Sequence, residues 1–168
     1  MKVKLIGLLC VVFALALLGC SEDTLANADD AEAAALATVG SGTVSSSERV
    51  VDEGHRVWAV MVTMPNGAEL EVILFAGNGE LFEIKDTVGP FDYALSPLPG
   101  MSTYAEALAR ALDANPGTVE AWEVKLSVDD DRYFYEFYVR DDGGQLYEIK
   151  HWADDGSLLE FQAVDEID

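Results

Sequence analysis

Residues 135–152 read YEFYVRDDGGQLYEIKHW, two apolar-rich segments separated by Asp142, Gly143 and Gly144. A glycine at the end of a three-residue loop adopts the left-handed conformation that closes a β-hairpin through a bulge. The stretch therefore predicts an antiparallel hairpin whose register is set by the loop. On one face this register gives three largely apolar pairs: Val139 with Tyr147, Phe137 with Ile149, and Tyr135 with His151.

The opposite face of the same hairpin carries charged and aromatic pairs. Cross-strand pairs of opposite charge or of two aromatic rings stabilise a sheet. A slip of one residue would mix the two faces, so the pattern predicts a single register with the apolar face packed on a helix. The pairs on the second face are Glu136 with Lys150, Phe134 with Trp152, and Tyr138 beside Glu148.

The same pattern occurs a second time, 77 residues upstream. Residues 58–75 read WAVMVTMPNGAELEVILF, with Pro65, Asn66 and Gly67 in the loop. Self-similarity at a fixed spacing indicates an internal duplication. The hairpin pairs expected here are Val62 with Leu70, Val60 with Val72, and Trp58 with Leu74. The identical residues include Val62/Val139, Gly67/Gly144, Glu71/Glu148, Ala76/Ala153, Gly79/Gly156, Leu81/Leu158 and Glu83/Glu160.

Each copy is predicted to begin with a helix, at 30–39 and at 103–114. Thr103 and Glu106 have the spacing of a capping box, and a Gly-Thr-Val sequence follows each helix. Strands are expected at about 46–52, 56–64, 68–75 and 80–85, and again at about 119–128, 132–140, 145–152 and 157–162. The predicted fold class is α+β, with two tandem repeats, each a helix packed on an antiparallel sheet of three to four strands.

The N-terminus has the features of a secretory signal peptide. Lys2 and Lys4 precede an uncharged apolar run over 5–19, which is shorter than the roughly 20 residues of a membrane span. We therefore expect a signal peptide (1–19), a tether (20–28), a first repeat (29–85), a Pro/Gly linker (86–101) and a second repeat (102–168).

The end of the signal peptide resembles the lipobox of bacterial lipoproteins, in the sequence Leu17, Leu18, Gly19 and Cys20. The resemblance implies cleavage before Cys20 and acylation of both its thiol and its new amino group. Ser21 resembles the residue that directs lipoproteins to the outer membrane of a Gram-negative cell. The expected location is the cell envelope, lipid-anchored and facing the periplasm or the cell surface. The alternative is a secreted protein with an unpaired cysteine.

The net charge of −21 excludes several classes of partner. A chain this acidic repels phosphate backbones and anionic lipid headgroups, so we expect no nucleic acid and no membrane contact except through the lipid anchor. Removal of Lys2 and Lys4 with the signal peptide makes the chain more acidic still. Loss of Cys10 leaves Cys20 without an intrachain disulfide partner.

The second copy, over residues 104–159, resembles a PepSY domain, and the first copy is a more degenerate version. The resemblance lies in the Ala-rich helix at 105–108, the helix stop at 116–119, the strands at 135–139 and 146–150, and the closing segment at 154–159. PepSY domains occur in propeptides of thermolysin-like metalloproteases and in envelope proteins. The resemblance implies a helix on an antiparallel sheet, a role in inhibiting or regulating peptidases, and no catalytic residues.

We do not expect an enzyme, a cofactor or a metal site. His55 and His151 lie outside HExxH-type spacings and are interpreted as structural or surface residues. The acidic runs at 129–131, 141–142 and 154–155 lack EF-hand spacing and fall where turns are expected. Cation binding at these turns is the less favoured alternative.

The more informative feature is the sheet face opposite each helix. In the first copy it is largely apolar, so either the linker or the other copy covers it, or a partner binds there. In the second copy it is amphipathic, and a solvated face is the alternative to reversible binding. The candidate partner-binding residues are Phe134, Tyr138, Lys150, Trp152, Met61, Ile73 and Phe75.

These features predict a lipid-anchored envelope binding module that restrains a peptidase or another envelope protein through a sheet face or edge. The alternative is a structural or assembly lipoprotein of the outer membrane with no inhibitory activity. A third interpretation, an acidic buffer for cations or cationic peptides, requires binding that collapses with salt.

Metabolic labelling with a radioactive fatty acid tests the predicted lipidation. The wild-type chain should incorporate label and Cys20→Ala should not, because the thiol is the acylated group. Ser21→Ala serves as the matched control and should be labelled like the wild type. Equal labelling of Cys20→Ala and the wild type would contradict the prediction.

Overall fold

The computed structural model describes residues 24–167, so the predicted signal peptide and Cys20 lie outside the described residues. Within this range the chain forms two helices and eight strands. Within the described range, neither helix has the length and apolar composition needed to cross a membrane. The elements are α1 (Ala28–Val39), β1 (Thr43–Asp52), β2 (His55–Thr63), β3 (Glu69–Phe75), β4 (Leu81–Asp86), α2 (Tyr104–Ala114), β5 (Thr118–Ser127), β6 (Arg132–Arg140), β7 (Leu146–Trp152) and β8 (Leu158–Val164).

The eight strands form one antiparallel sheet in which they follow their order along the chain. The predicted fold class is confirmed, and the structure adds that the two repeats share a continuous sheet. They join where β4 pairs with β5, with Glu83 opposite Lys125 and Asp86 opposite Trp122. The linker and α2 lie between these two strands in the chain.

The registers of both central hairpins are confirmed. Every predicted pair of β2 with β3 and of β6 with β7 is present. Gly67 and Gly144 have φ of 91° and 87°, and each donates its N–H to the carbonyl three residues earlier, of Met64 and Asp141. The left-handed glycine therefore closes each loop as the sequence predicts.

The duplication extends to irregularities of the backbone. Strand β1 has a register shift between Val44 and Ser46, and β5 has one between Val119 and Ala121. Shifts also occur in the pairing of β3 with β4 and of β7 with β8, where Phe82 and Leu159 are the extra residues. Bulges at equivalent positions show that both copies bend their strands at the same points.

Glycine is required where each first strand begins. A Cβ at Gly117 would lie 2.3 Å from the carbonyl oxygen of Arg140, and one at Gly42 would lie 2.6 Å from Val62 Cγ1. Any side chain there would collide with the neighbouring strand. This close approach explains the Gly-Thr-Val sequence in both copies.

Both helices and the linker pack on the same sheet face and form one core. In α1 the buried residues are Ala31, Ala35 and Val39, and their small side chains let the helix lie close to the sheet. In α2 Thr103 forms the predicted capping box with Glu106. Linker residues between Phe91 and Met101 also pack on this core, so the linker fills the helix side.

Rings of the second repeat gather at the centre of this core. Phe137 is fully buried, with ring centroids 5.9 Å from Tyr104, 6.5 Å from Trp122 and 6.1 Å from Tyr135. Tyr135 also donates its hydroxyl to the carbonyl of Ser102 at 2.8 Å. The aromatic cluster thereby ties β6 to the segment that leads into α2.

Phe137→Ala should lower the free energy of unfolding by roughly 3–5 kcal/mol, because it removes a buried ring and leaves a cavity. Chemical denaturation measured by tryptophan fluorescence tests this value. Val51→Ala, at an exposed position of β1, is the control and should change stability by less than about 0.5 kcal/mol. A near-neutral result for Phe137→Ala would overturn the helix-side assignment of this residue.

Candidate functional site

The face of the sheet turned away from both helices, here called the open face, carries a row of charged side chains. Adjacent members are cross-strand neighbours on six consecutive strands, β3 to β8. In strand order, this charged ladder consists of Glu71, Lys85, Glu123, Glu136, Lys150 and Glu160. A parallel row beside it contains Ile73, Glu83, Lys125, Phe134 and Trp152.

Three lysines connect the carboxylates of the open face. Lys150 lies 3.1 Å from Glu136 and 3.3 Å from Glu160, and it also pairs with Glu148. Burial disfavours the charge of Lys150, but the hydrogen bond to Glu148 and the charge of Glu136 outweigh it and raise its pKa. Lys150 is therefore a fixed cation at the centre of the second repeat.

The other two lysines both contact Glu83 at the junction of the two repeats, and Lys125 does so from the second repeat. Lys125 of β5 lies 3.4 Å from Glu83 of β4 and 2.9 Å from Glu53 in the turn after β1. Lys85 reaches Glu83 at 3.2 Å and Glu71 at 3.1 Å. Glu83 is buried, and a buried carboxylate is tolerated only when such partners are present.

A cleft of about 650 Å³ opens on this face between the end of β1 and the second repeat. It is bordered by carboxylates, by amines and by apolar side chains, so it can contact a ligand of mixed character. The lining residues are Glu53, His55, Glu123, Lys125, Leu126, Ser127, Val128, Asp129, Phe134, Glu136 and Lys150.

Glu123 is a carboxylate of this cleft whose pKa is strongly shifted. Burial, together with the nearby charges of Glu83 and Glu136, raises its pKa to about 8, against the opposing effect of Lys125 and Lys85. Because Glu136 is its direct cross-strand neighbour, two like charges meet there. Near neutral pH, Glu123 can therefore hold a proton or exchange it for a cationic group.

An aromatic patch borders the cleft. Phe134 and Trp152 meet edge to face with centroids 6.5 Å apart. The guanidinium of Arg132 lies 4.2 Å from the centroid of Trp152, and it bonds to Asp154 and Asp155 at the turn before β8. An aromatic pair stacked with an arginine is typical of protein-binding surfaces.

The structure divides the seven predicted partner-binding residues among three places. Phe134 and Lys150 line the cleft and Trp152 lies beside it. Tyr138 is buried in a small cluster with Ala121 and Leu146, against which Val164 and Ile167 pack, so its ring has little surface to offer. Met61, Ile73 and Phe75 lie in the first repeat, and only Ile73 is buried there.

The apolar open face of the first repeat is covered in part by the other repeat. Val57, Ile73 and Phe82 form a buried cluster, against which Leu126 of β5 packs, and the Lys125 ammonium lies 5.6 Å from the centroid of Phe82. From Phe91 onward the linker packs on the helix side of the sheet. The prediction that the linker covers the open face is therefore wrong for this part of the linker. At the other end, Thr87 and Val88 lie beside Met61.

The two histidines lie in different environments. His151 is buried, and burial lowers its pKa. His55 lines the cleft and contacts the rings of Phe75 and Phe82, with centroids 5.3 and 5.8 Å away. Within residues 24–167, no three Asp, Glu, His or Cys side chains are grouped so that they could hold a metal ion.

Sequence reasoning missed most of the polar cleft lining. Glu123 and Lys125 alternate with buried Trp122 and Val124 in β5, so the alternation could have assigned them to the second face. Glu53 comes from a turn of the other repeat, and no local pattern indicates that it meets Lys125. The cleft exists only because β4 and β5 pair.

Comparisons with known proteins bear on both repeats. Residues 26–84 and 102–150, together more than half of the chain, match the model of the PepSY family, described as "Peptidase propeptide and YPEB domain". This confirms the predicted resemblance for both copies. No curated protein matches the chain. Among solved structures, it is similar to a protein of Clostridium difficile 630 that is provisionally described as a lipoprotein. The two share 19% identity and a TM-score of 0.40, over 85% of this chain and 99% of that one.

The raised pKa of Glu123 predicts a dependence of stability on pH. Its value of about 8 in the folded state exceeds the ordinary 4.5, so the folded state binds this proton more tightly than the unfolded state. The contribution of Glu123 to the free energy of unfolding is complete below pH 4.5 and is lost as the pH rises through 8. Glu123→Gln should therefore raise the free energy of unfolding at pH 8.5 by roughly 1–3 kcal/mol and leave it unchanged at pH 4.

Glu120, three residues earlier on β5, is the matched control. Its hydrogen bonds to Arg140 lower its pKa, so Glu120→Gln should act in the opposite direction and reduce stability at neutral pH only. Denaturant titrations of both variants across pH 4–9 provide the measurement. A Glu123→Gln effect that does not change with pH would contradict the assigned cause.

Proposed function

The chain belongs to the PepSY family, and from that membership we propose that it is a lipid-anchored envelope module that restrains a peptidase through its open face. The observation that carries the proposal is the cleft beside the Phe134–Trp152 pair, on a sheet face that neither helix covers. The family description refers to peptidase propeptides. A regulatory role accordingly agrees with the described residues better than a catalytic one.

The composition of the open face supports binding of a polypeptide. Trp152 and Arg132 are of the residue types that contribute most to protein interfaces, and the polar groups around them can exclude water from a central contact. Glu123 and Asp129 can accept hydrogen bonds from a partner, while Lys150 is held by its own carboxylates. Apolar contact beside alternating charge favours a specific, reversible complex.

The proposed anchor would place this cleft near the membrane. Thr24 donates its backbone N–H to Gly77 at 3.2 Å and its hydroxyl to the same carbonyl at 2.9 Å, which fixes the chain at the turn between β3 and β4. From Cys20 to Thr24 the chain can span at most about 14 Å. In an antiparallel sheet the turns at 53–54 and 128–131 lie at that same end, and both contribute residues to the cleft.

The acidic side chains at this end suit an anchored protein that does not lie on the lipid surface. Asp129, Asp130 and Asp131 follow β5, and Asp154 and Asp155 follow β7. Anionic headgroups repel these turns, which favours a separation between the cleft and the bilayer. A partner tethered to the same membrane could then enter the cleft.

The second candidate is a structural or assembly lipoprotein without inhibitory activity. The observation that favours it is the edge of β8, with which no further strand of residues 24–167 pairs and which could join another polypeptide without engaging a peptidase. The two candidates differ in whether the purified chain slows proteolysis.

An inhibition assay tests the proposed function. The full chain, purified in mild detergent, should slow peptide hydrolysis by a thermolysin-like metalloprotease. Phe134→Ala combined with Trp152→Ala should weaken inhibition at least tenfold while the fold persists, because both rings are partly exposed. The measurement is the inhibition constant, with thermal unfolding as the check on folding.

Val51→Ala, on the edge strand β1 and outside the cleft lining, is the control and should inhibit like the wild type. Inhibition that survives the double substitution would exclude the open face. Unfolding of the double variant would show that the two rings are core residues. Absence of inhibition by the wild type would favour the assembly candidate.

A further inference from the structure

Strand β8 is the duplicate of β4, but its side chains have a different environment. Equivalent residues of the two strands are 77 positions apart in the sequence. Leu81 is 3% exposed and Leu158 is 57% exposed; Ile84 is fully buried and Phe161 is 43% exposed. Phe82 and Leu159, the extra residues of equivalent bulges, are fully buried and 42% exposed. The same strand is core in one copy and surface in the other.

Strand β4 is buried because β5 and the rest of the second repeat lie beside it. Strand β5 pairs with residues 83–86 of β4, and Tyr133 of β6 donates its hydroxyl to the carbonyl of Leu81 at 2.5 Å. Strand β8 is the last in the sheet, and α2 lies against β6 and β7. The edge of β8 therefore has the form of the edge to which β5 binds in this same chain.

Strand β8 lacks the features that usually protect an edge from pairing. It contains no lysine and no proline, and its single charge, Glu160, is paired with Lys150 at 3.3 Å. An edge of this kind is a template for another strand. Strand β1, the other edge, instead carries three serines, Glu48 and Arg49, and Ser47 bonds to Glu32 of α1.

Charge around β8 selects the type of strand that can bind. Carboxylates flank the apolar segment at both ends, with Asp154 and Asp155 before it and Asp165 and Glu166 after it. Arg132 offsets only part of the first pair. A second copy of this chain, pairing antiparallel through its own β8, would bring these two acidic ends together. Repulsion therefore disfavours a dimer through this edge.

We propose that the β8 edge binds an extended segment of a partner polypeptide that is apolar at alternate positions and carries lysine or arginine at both ends. The segment would pair antiparallel to β8, as β5 pairs with β4. Its apolar side chains would cover Leu158 and Phe161 on the helix side, and its basic ends would meet the flanking carboxylates. This surface is separate from the open-face cleft, so the proposal is independent of peptidase restraint.

Fluorescence anisotropy with a labelled peptide tests the proposal on the full chain in mild detergent. The probe has alternating valine and threonine with two lysines at each end, and a second peptide has glutamates in place of the lysines. The lysine peptide should bind at least tenfold more tightly, and the difference should shrink as salt is added. Leu158→Ser combined with Phe161→Ser should weaken binding at least tenfold.

Two control variants locate the binding. Val51→Ser on β1 and the Phe134→Ala, Trp152→Ala pair on the open face should bind the lysine peptide like the wild type. Asp165→Lys with Glu166→Lys should reduce the preference for lysine ends without loss of the folded state, since both side chains are exposed. Binding that is unchanged by the Leu158, Phe161 substitutions would overturn the proposal.

A disulfide test separates the proposed occupant from a second copy of the chain. Beyond any product that the wild-type chain forms through Cys20, Phe161→Cys should give no dimer on a non-reducing gel under oxidising conditions and should crosslink to a lysine peptide that carries a central cysteine. Covalent dimers of Phe161→Cys, without capture of the peptide, would show that the chain pairs with itself and would overturn the proposal.

Discussion

The pairing of β4 with β5 is the constraint on which the rest of the structure depends. Two repeats of this size would each have a thin core, and that of the first relies on an alanine-rich helix. When β4 and β5 pair, Asp86 lies opposite Trp122 and Ile84 opposite Val124, and the helix sides of both repeats become one core. Tyr93 of the linker and Tyr104 at the start of α2 pack on Trp122 beside the junction.

The same pairing creates the charged surface on the other side. Glu83 and Lys85 belong to one repeat, and Glu123 and Lys125 to the other, and each lysine contacts Glu83 across or along the junction. Buried ion pairs contribute little net stability, because desolvation offsets the attraction. They do disfavour alternative alignments of β4 and β5, since a slip would leave buried charges without partners. The ion pairs of Glu83 thus specify how the repeats join.

The sequence predicts the local structure well, because local interactions determine it. The turns at Pro65–Gly67 and Asp142–Gly144 set the loop length, and the alternation of Phe134 through Tyr138 then fixes the face of each residue. The junction could not be predicted in this way. Strands β4 and β5 are separated by the linker and α2, and the pattern of β4 alone does not indicate what lies beside it. The burial of Glu83, the position of Glu53 and the pKa of Glu123 all follow from that distant pairing.

Duplication also explains why the two proposed contact surfaces differ. Each repeat has the same strand order. The final strand of the first repeat, β4, is therefore buried at the junction between the repeats, whereas the final strand of the second, β8, is left at the edge of the sheet. The open face, by contrast, differs through substitution: Val57, Ala59 and Ile73 of the first copy are replaced by Phe134, Glu136 and Lys150 in the second. The second copy therefore covers part of the open face of the first, while its own open face is charged and aromatic. This division of roles between copies needs no change in the fold.

The charge of the open face would couple the proposed binding to protonation. Glu136 and Glu148 already share Lys150, and Glu123 lies between Glu136 and Lys85 in the ladder. A cationic group that enters the cleft would stabilise the ionised form of Glu123 and release its proton. By linkage, binding of such a group and ionisation of Glu123 favour each other by the same factor. A rise in pH through the pKa of Glu123 therefore strengthens the binding of the group. The cost that Glu123 imposes on the folded chain is then reduced when a basic partner is bound.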